Sequence, residues 1–121
     1  MFGTGIVKNK SEKGDYAEAL VNNYLLLEGY ECFTPSGVKA HLFDGMALIR
    51  TDKIDIFLYD VKSKAARNFH KDTGVDLKHF KHYMDISNFF GKDFFVFFVD
   101  EELGYIYKQK LNDYYNEKYI T

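Results

Sequence analysis

A chain of 121 residues is long enough for one hydrophobic core and too short for two independent ones. With 46% hydrophobic residues, 28% charged residues and a net charge of −2, the composition is that of a folded globular domain, and the overall charge does not single out a polyanion binder. The lone cysteine, Cys32, excludes an intrachain disulfide, and the longest apolar run, Phe94 to Val99, is far short of the roughly 20 residues a membrane helix needs.

The expectation is a single domain over residues 1–121, soluble and cytoplasmic, with no membrane association. Met1 to Gly5 shows no basic stretch followed by an apolar one, so no signal peptide is expected. Residues 1–13 are polar and read as a flexible lead-in. A helix is expected from Gly14 or Asp15, with Asp15 as its cap and Glu18 in its acidic first turn. Ala17, Leu20, Val21, Tyr24 and Leu27 give that helix an apolar face, and Gly29 ends it.

Tyr30 to Phe33 reads as a short strand, followed by a turn over Thr34-Pro35-Ser36-Gly37. His41 to Arg50 and Ile54 to Lys62 read as two further strands, and the short link Thr51-Asp52-Lys53 makes them an antiparallel hairpin. Ala65 to Gly74 is a polar, basic loop. A second helix is expected over Val75 to Asn88, capped near Thr73 or Asp76. Asp93 to Val99 is a strand apolar on both faces, Gly104 to Lys110 another strand, and Asn112 to Tyr119 a short helix rich in Tyr. The order α-β-β-β-α-β-β-α predicts an α/β fold, a mixed central β-sheet flanked by helices.

The third strand carries the chemistry. Alternation places Ile54, Ile56, Leu58, Asp60 and Lys62 on one face and Phe57, Tyr59 and Val61 on the other. The first face is apolar until it reaches an acid and a lysine side by side, a pair able to bind a metal and position a water. Taken alone, Asp60-Val61-Lys62 reads first as a surface ion pair at a fraying strand edge.

The preceding strand tips the balance. Asp44 lies in an apolar stretch where an unpaired buried charge is costly. A hairpin folded about Asp52 puts Asp44 opposite Asp60. Two facing carboxylates repel, and a divalent cation resolves the repulsion by using both as oxygen ligands. Gly45 leaves room for a close approach. Glu18, beside the apolar stripe of the first helix, is a candidate third acid, with helix-start electrostatics as its plain alternative.

Charge is unevenly spread. From Lys62 to His82 there are six basic residues (Lys62, Lys64, Arg67, Lys71, Lys78, Lys81) against Asp72 and Asp76, a net +4 that leaves −6 on the rest of the chain. Such a stripe on an acidic body suits a polyanion, and equally a solvated loop and helix face. His79 and His82 have no nearby Cys, so zinc is not expected. Gly3-x-Gly5 follows no strand and is not a nucleotide loop. Phe89-Phe90 reads as core or dimer surface.

Glu18, then Asp44, then Asp60-Val61-Lys62, in the setting Gly14-Asp15-Tyr16-Ala17-Glu18, Phe43-Asp44-Gly45-Met46-Ala47 and Phe57-Leu58-Tyr59-Asp60-Val61-Lys62-Ser63-Lys64, resembles the PD-(D/E)XK nuclease superfamily. The similarity is to its Holliday-junction-resolvase-like branch, with small bacterial and phage relatives, and it spans about residues 14 to 107. It implies a restriction-endonuclease-like fold and a DNA endonuclease that uses Mg²⁺ or Mn²⁺, with branched DNA among the substrates and a homodimer as the working unit. Glu18, Asp44 and Asp60 would be metal ligands with the Val61 carbonyl as a further oxygen, and Lys62 would meet the scissile phosphate or the attacking water. Lys64 would assist Lys62 or stand in for it. His79-Phe80-Lys81-His82-Tyr83 is similar to the family's Gln-x-x-x-Tyr signature, with His79 in place of Gln; this implies phosphate contacts from His79 and Tyr83, with packing of Tyr83 on the sheet as the alternative, and the basic stripe offers Lys64, Arg67, Lys71, Lys78 and Lys81 as further nucleic-acid contacts. A binding or regulatory module on the same fold, without catalysis, is the alternative.

Overall fold

The computed structural model describes residues 10–36, 42–63 and 77–114. The first helix, α1, spans Lys10–Leu27. It starts before Gly14, so Lys10 to Lys13 belong to the helix rather than to a lead-in, and Asp15 is not its cap. Lys and Glu in this stretch are good helix formers and outweigh the single Gly14. The buried stripe is Ala17, Val21 and Leu25, one residue per turn. Leu20 and Tyr24 flank it. Leu27, expected in the stripe, is 79% exposed, because the face has rotated away by the last turn. Gly29 adopts φ +96°, and the turn closes with the N–H of Gly29 on the Leu26 carbonyl at 3.1 Å and that of Tyr30 on the Leu25 carbonyl at 2.9 Å.

Among the described residues five strands follow: β1 (Glu31–Phe33), β2 (Gly45–Arg50), β3 (Ile54–Ser63), β4 (Asp93–Asp100) and β5 (Tyr105–Lys110). The second helix, α2 (Leu77–Phe90), lies between β3 and β4 in sequence. The sheet runs in the order β1-β2-β3-β4-β5. β3 and β4 are parallel and every other pair is antiparallel. Parallel neighbours need a crossover, and α2 lies in that connection.

The two faces of β3 go to different helices. Phe57 and Tyr59 pack with Ala17, Val21 and Leu25 of α1, and Leu58 packs with Phe80, Tyr83 and Ile86 of α2. β4 feeds both layers, with Phe94, Val96 and Phe98 toward α2 and Phe97 and Val99 toward α1. It is buried on both faces, as its unbroken Phe/Val run requires. The architecture is α/β: a mixed sheet with a helix on each side. Cys32 is half-buried and packed against the α1 layer. Phe89 is not core, at 83% exposed, while Phe90 meets the Phe43 ring edge-on at 5.9 Å.

A polar clamp closes the far end of the α2 layer. Ser87 Oγ donates to the Lys92 carbonyl at 2.5 Å and accepts from Asn112 Nδ2 at 3.1 Å, and Asn112 Oδ1 accepts the Phe94 N–H at 2.9 Å. Asn112 stands in a 3₁₀ turn, Leu111–Tyr114. That turn replaces the start of the expected terminal α-helix; the remainder of that segment lies outside the described residues. Among the described residues no helix is long and apolar enough to cross a membrane.

Candidate active site

The hairpin register is the one the sequence implies. Gly45 pairs with Tyr59 and Arg50 with Ile54, which carries Asp44 to the position facing Asp60. The strand is shorter than expected, however: Leu42 to Asp44 form a bend and β2 begins at Gly45. Asp44 therefore stands at the strand mouth, not inside it. Its backbone N–H still donates to the Tyr59 carbonyl at 3.0 Å, and its carboxylate Oδ2 accepts the Val61 N–H at 2.7 Å. The side chain takes over the ladder where the β2 backbone has turned away.

Asp44 is driven well above the usual carboxylate range, to about 7. Burial is the main cause, followed by the hydrogen bond with Asp60 and the charge of Asp60; the Val61 N–H and the Lys62 charge pull the other way. The two acids are thus in direct contact.

Asp60 is half-buried on the α2 face, and its Oδ2 accepts the Tyr83 hydroxyl at 2.5 Å. The Lys62 Nζ lies 5.8 Å from the centre of the Tyr83 ring, within cation–π range. Asp44, Asp60, Lys62 and Tyr83 therefore form one connected group at the C-terminal end of β3. Val61 is half-buried with its side chain toward α1. A strand residue's N–H and C=O project to the same side, so its carbonyl faces the edge where Asp44 stands.

Tyr83 is 3% exposed and stacks on Phe94 at 4.6 Å, with its hydroxyl on Asp60. Of the two readings of Tyr83, phosphate contact or packing on the sheet, the geometry fits the second: the ring is core and the hydroxyl is engaged with the acid. His79 stacks on Tyr83 at 6.3 Å and is exposed, as are Lys78 and Lys81. Lys64, Arg67 and Lys71, named in the basic stripe, lie outside the described residues, as does the expected cap at Thr73 or Asp76.

Glu18 is half-buried on α1, the helix that packs on the Phe57 and Tyr59 face of β3. Its charge adds to that of Asp44 in raising the Tyr59 hydroxyl. Among the described residues, no group of three or more His, Cys, Asp or Glu is arranged to hold a metal.

Tyr59 is the feature sequence reasoning missed. Its ring lies against Gly45 so closely that a Cβ there would run into the ring and the hydroxyl. The room at Gly45, expected for a ligand or backbone, is filled by this side chain. The Tyr59 hydroxyl donates to Asn22 Oδ1 of α1 at 2.7 Å. It is held above the ordinary tyrosine range by burial first, then by Cys32 and by the charges of Asp44 and Glu18. A glycine directly opposite an aromatic residue in a hairpin was the available signal.

No family model and no curated protein matches the chain. A solved structure does: Archaeoglobus fulgidus Hjc, a Holliday junction resolvase from an archaeal hyperthermophile. The likeness has a TM-score of 0.59 at 13% identity and covers 82% of this chain and 78% of that one. The chain therefore has an α/β, restriction-endonuclease-like fold. At that identity the likeness speaks for the fold, and the site rests on its own geometry.

Proposed function

We propose that the chain is a metal-dependent endodeoxyribonuclease, with branched DNA among its substrates. One observation carries the reading: Asp44 and Asp60 are brought into contact at the mouth of the β2–β3 hairpin, with Lys62 beside them. Facing like charges are destabilising, so the pair calls for a use. Its donor set, hard carboxylate oxygens with the Val61 carbonyl turned to the same edge, fits Mg²⁺ or Mn²⁺. A cation held there would lower the pKa of a bound water and neutralise charge developing on a phosphate.

The remaining steps belong to the chain itself. Asp44 must lose its proton to become a ligand. Asp60 is held in place by Tyr83. The Lys62 ammonium stands near both acids and can meet a phosphate oxygen or orient the attacking water. Lys78 and Lys81 on the exposed side of α2 would contact the DNA backbone, with Lys64, Arg67 and Lys71 contributing the rest of the basic stripe.

The test is cleavage of branched, duplex and single-stranded DNA with Mn²⁺ by the parent protein and by Asp60→Ala and Lys62→Ala. Loss of on the order of 100-fold or more in each variant is expected; equal cutting by parent and variants, or no cutting of any substrate, refutes the reading. A DNA-binding module without catalysis is the second reading. It is motivated by the chain's lack of an overall basic charge, and DNA binding without cleavage in Mn²⁺ would select it. A homodimer would supply two sites for two strands, and a monomeric mass by light scattering at micromolar concentration would exclude it.

A further inference from the structure

Tyr83 has little freedom to move. Its ring is 3% exposed, lies flat on Phe94 with 20° between the planes, and has His79 stacked on it at 29°. The hydroxyl is therefore presented from a fixed point, and it reaches Asp60 Oδ2 at 2.5 Å. Across the hairpin the Val61 N–H, equally fixed by the sheet, holds Asp44 Oδ2 at 2.7 Å. Each acid has one oxygen engaged by a rigid donor of the protein.

A carboxylate pinned in this way favours offering its other oxygen as a single-point ligand. Grasping a cation with both oxygens would weaken the bond to Tyr83. Cations differ in how much that matters. Ca²⁺ takes many oxygens and readily accepts a carboxylate edge-on, whereas Mg²⁺ is smaller, strictly octahedral and content with single oxygens; Mn²⁺ shares its preference for octahedral oxygen sites. We infer that Tyr83 is a positioning residue that restricts Asp60 to one-oxygen ligation and so sets the site to prefer Mg²⁺ or Mn²⁺ over Ca²⁺. This rests on the metal-site reading above.

Calorimetric titration of the full chain with Mn²⁺ and with Ca²⁺, for the parent and for Tyr83→Phe, tests it. The substitution removes one oxygen atom and keeps the ring on Phe94. The parent should bind Mn²⁺ at least about tenfold more tightly than Ca²⁺, and Tyr83→Phe should narrow that ratio by about tenfold, chiefly through a gain in Ca²⁺ affinity. Equal weakening for both ions, as a purely structural role would produce, overturns the assignment while leaving the metal site standing. So does equal affinity of the parent for the two ions, a result that needs no variant to fold. No Mn²⁺ binding by the parent overturns the metal-site reading itself, and this inference with it.

Discussion

The Tyr59 ring lies across Gly45, directly opposite it in the β2–β3 hairpin, and its hydroxyl ends on Asn22 of α1. The residue before Gly45 is one acid of the site and the residue after Tyr59 is the other. The packing of helix against sheet is thus felt one peptide away from each carboxylate.

Gly45→Ala should be costly for this reason. The new Cβ meets a fully buried ring that cannot swing into solvent. A loss of about 1–3 kcal/mol is expected, as for other overpacked sites, read as a lower midpoint in urea unfolding. Adding Tyr59→Leu should recover part of it; a single variant as stable as the parent would mean that the ring yields freely.

Asp44→Asn removes the repulsion while keeping an oxygen for the Val61 N–H. Without metal, above pH 7, the variant should be more stable than the parent by up to about 1 kcal/mol. Its Mn²⁺ binding should be lost. A variant that is less stable and still binds Mn²⁺ would contradict the pairing of Asp44 with Asp60.

The pH dependence has a definite sign. The Asp44 carboxyl is raised from an ordinary value of 3.8 to about 7, so folding favours its protonated form. Its contribution to stability is complete below about pH 4 and is lost as the pH rises through about 7. In EDTA the urea midpoint should therefore fall between pH 5 and pH 8 more in the parent than in Asp44→Asn. Mn²⁺ affinity should move the opposite way and strengthen over the same interval, because the ligand must be deprotonated.

Asn112→Ala tests the polar clamp. The substitution removes the acceptor of the Phe94 N–H and the donor to Ser87 Oγ. A cost of about 1–3 kcal/mol is expected, the usual penalty for stranding a buried polar group. Mn²⁺ affinity should be unchanged; a loss of metal binding in a folded variant would show that the clamp reaches the site.

Much of this arrangement is legible in the sequence. The short link after Arg50 sets the register that brings Asp44 to Asp60, and alternation along Ile54 to Lys62 assigns each residue its face. What the sequence hides is set by side chains that meet across elements. Nothing in the spacing says that Tyr83 turns its hydroxyl to Asp60, because a buried tyrosine on a helix and one reaching for phosphate share the same apolar periodicity. The bend at Leu42 to Asp44 is hidden because Leu42 and Phe43 continue the apolar run of the strand. It forms since the Asp44 side chain can continue the hydrogen bonding that the backbone gives up. Glu18 shows the limit of one-dimensional order: the sequence places it before the two aspartates but does not say which face of the sheet its helix covers.

The single parallel pairing in the sheet also orders events in time. Asp44 and Asp60 face each other across two strands joined by a three-residue link, so they can meet when a local hairpin closes. Tyr83 arrives only when the chain has gone through the crossover and β4 has docked beside β3. By contact order the two acids should meet before the hydroxyl that fixes one of them arrives.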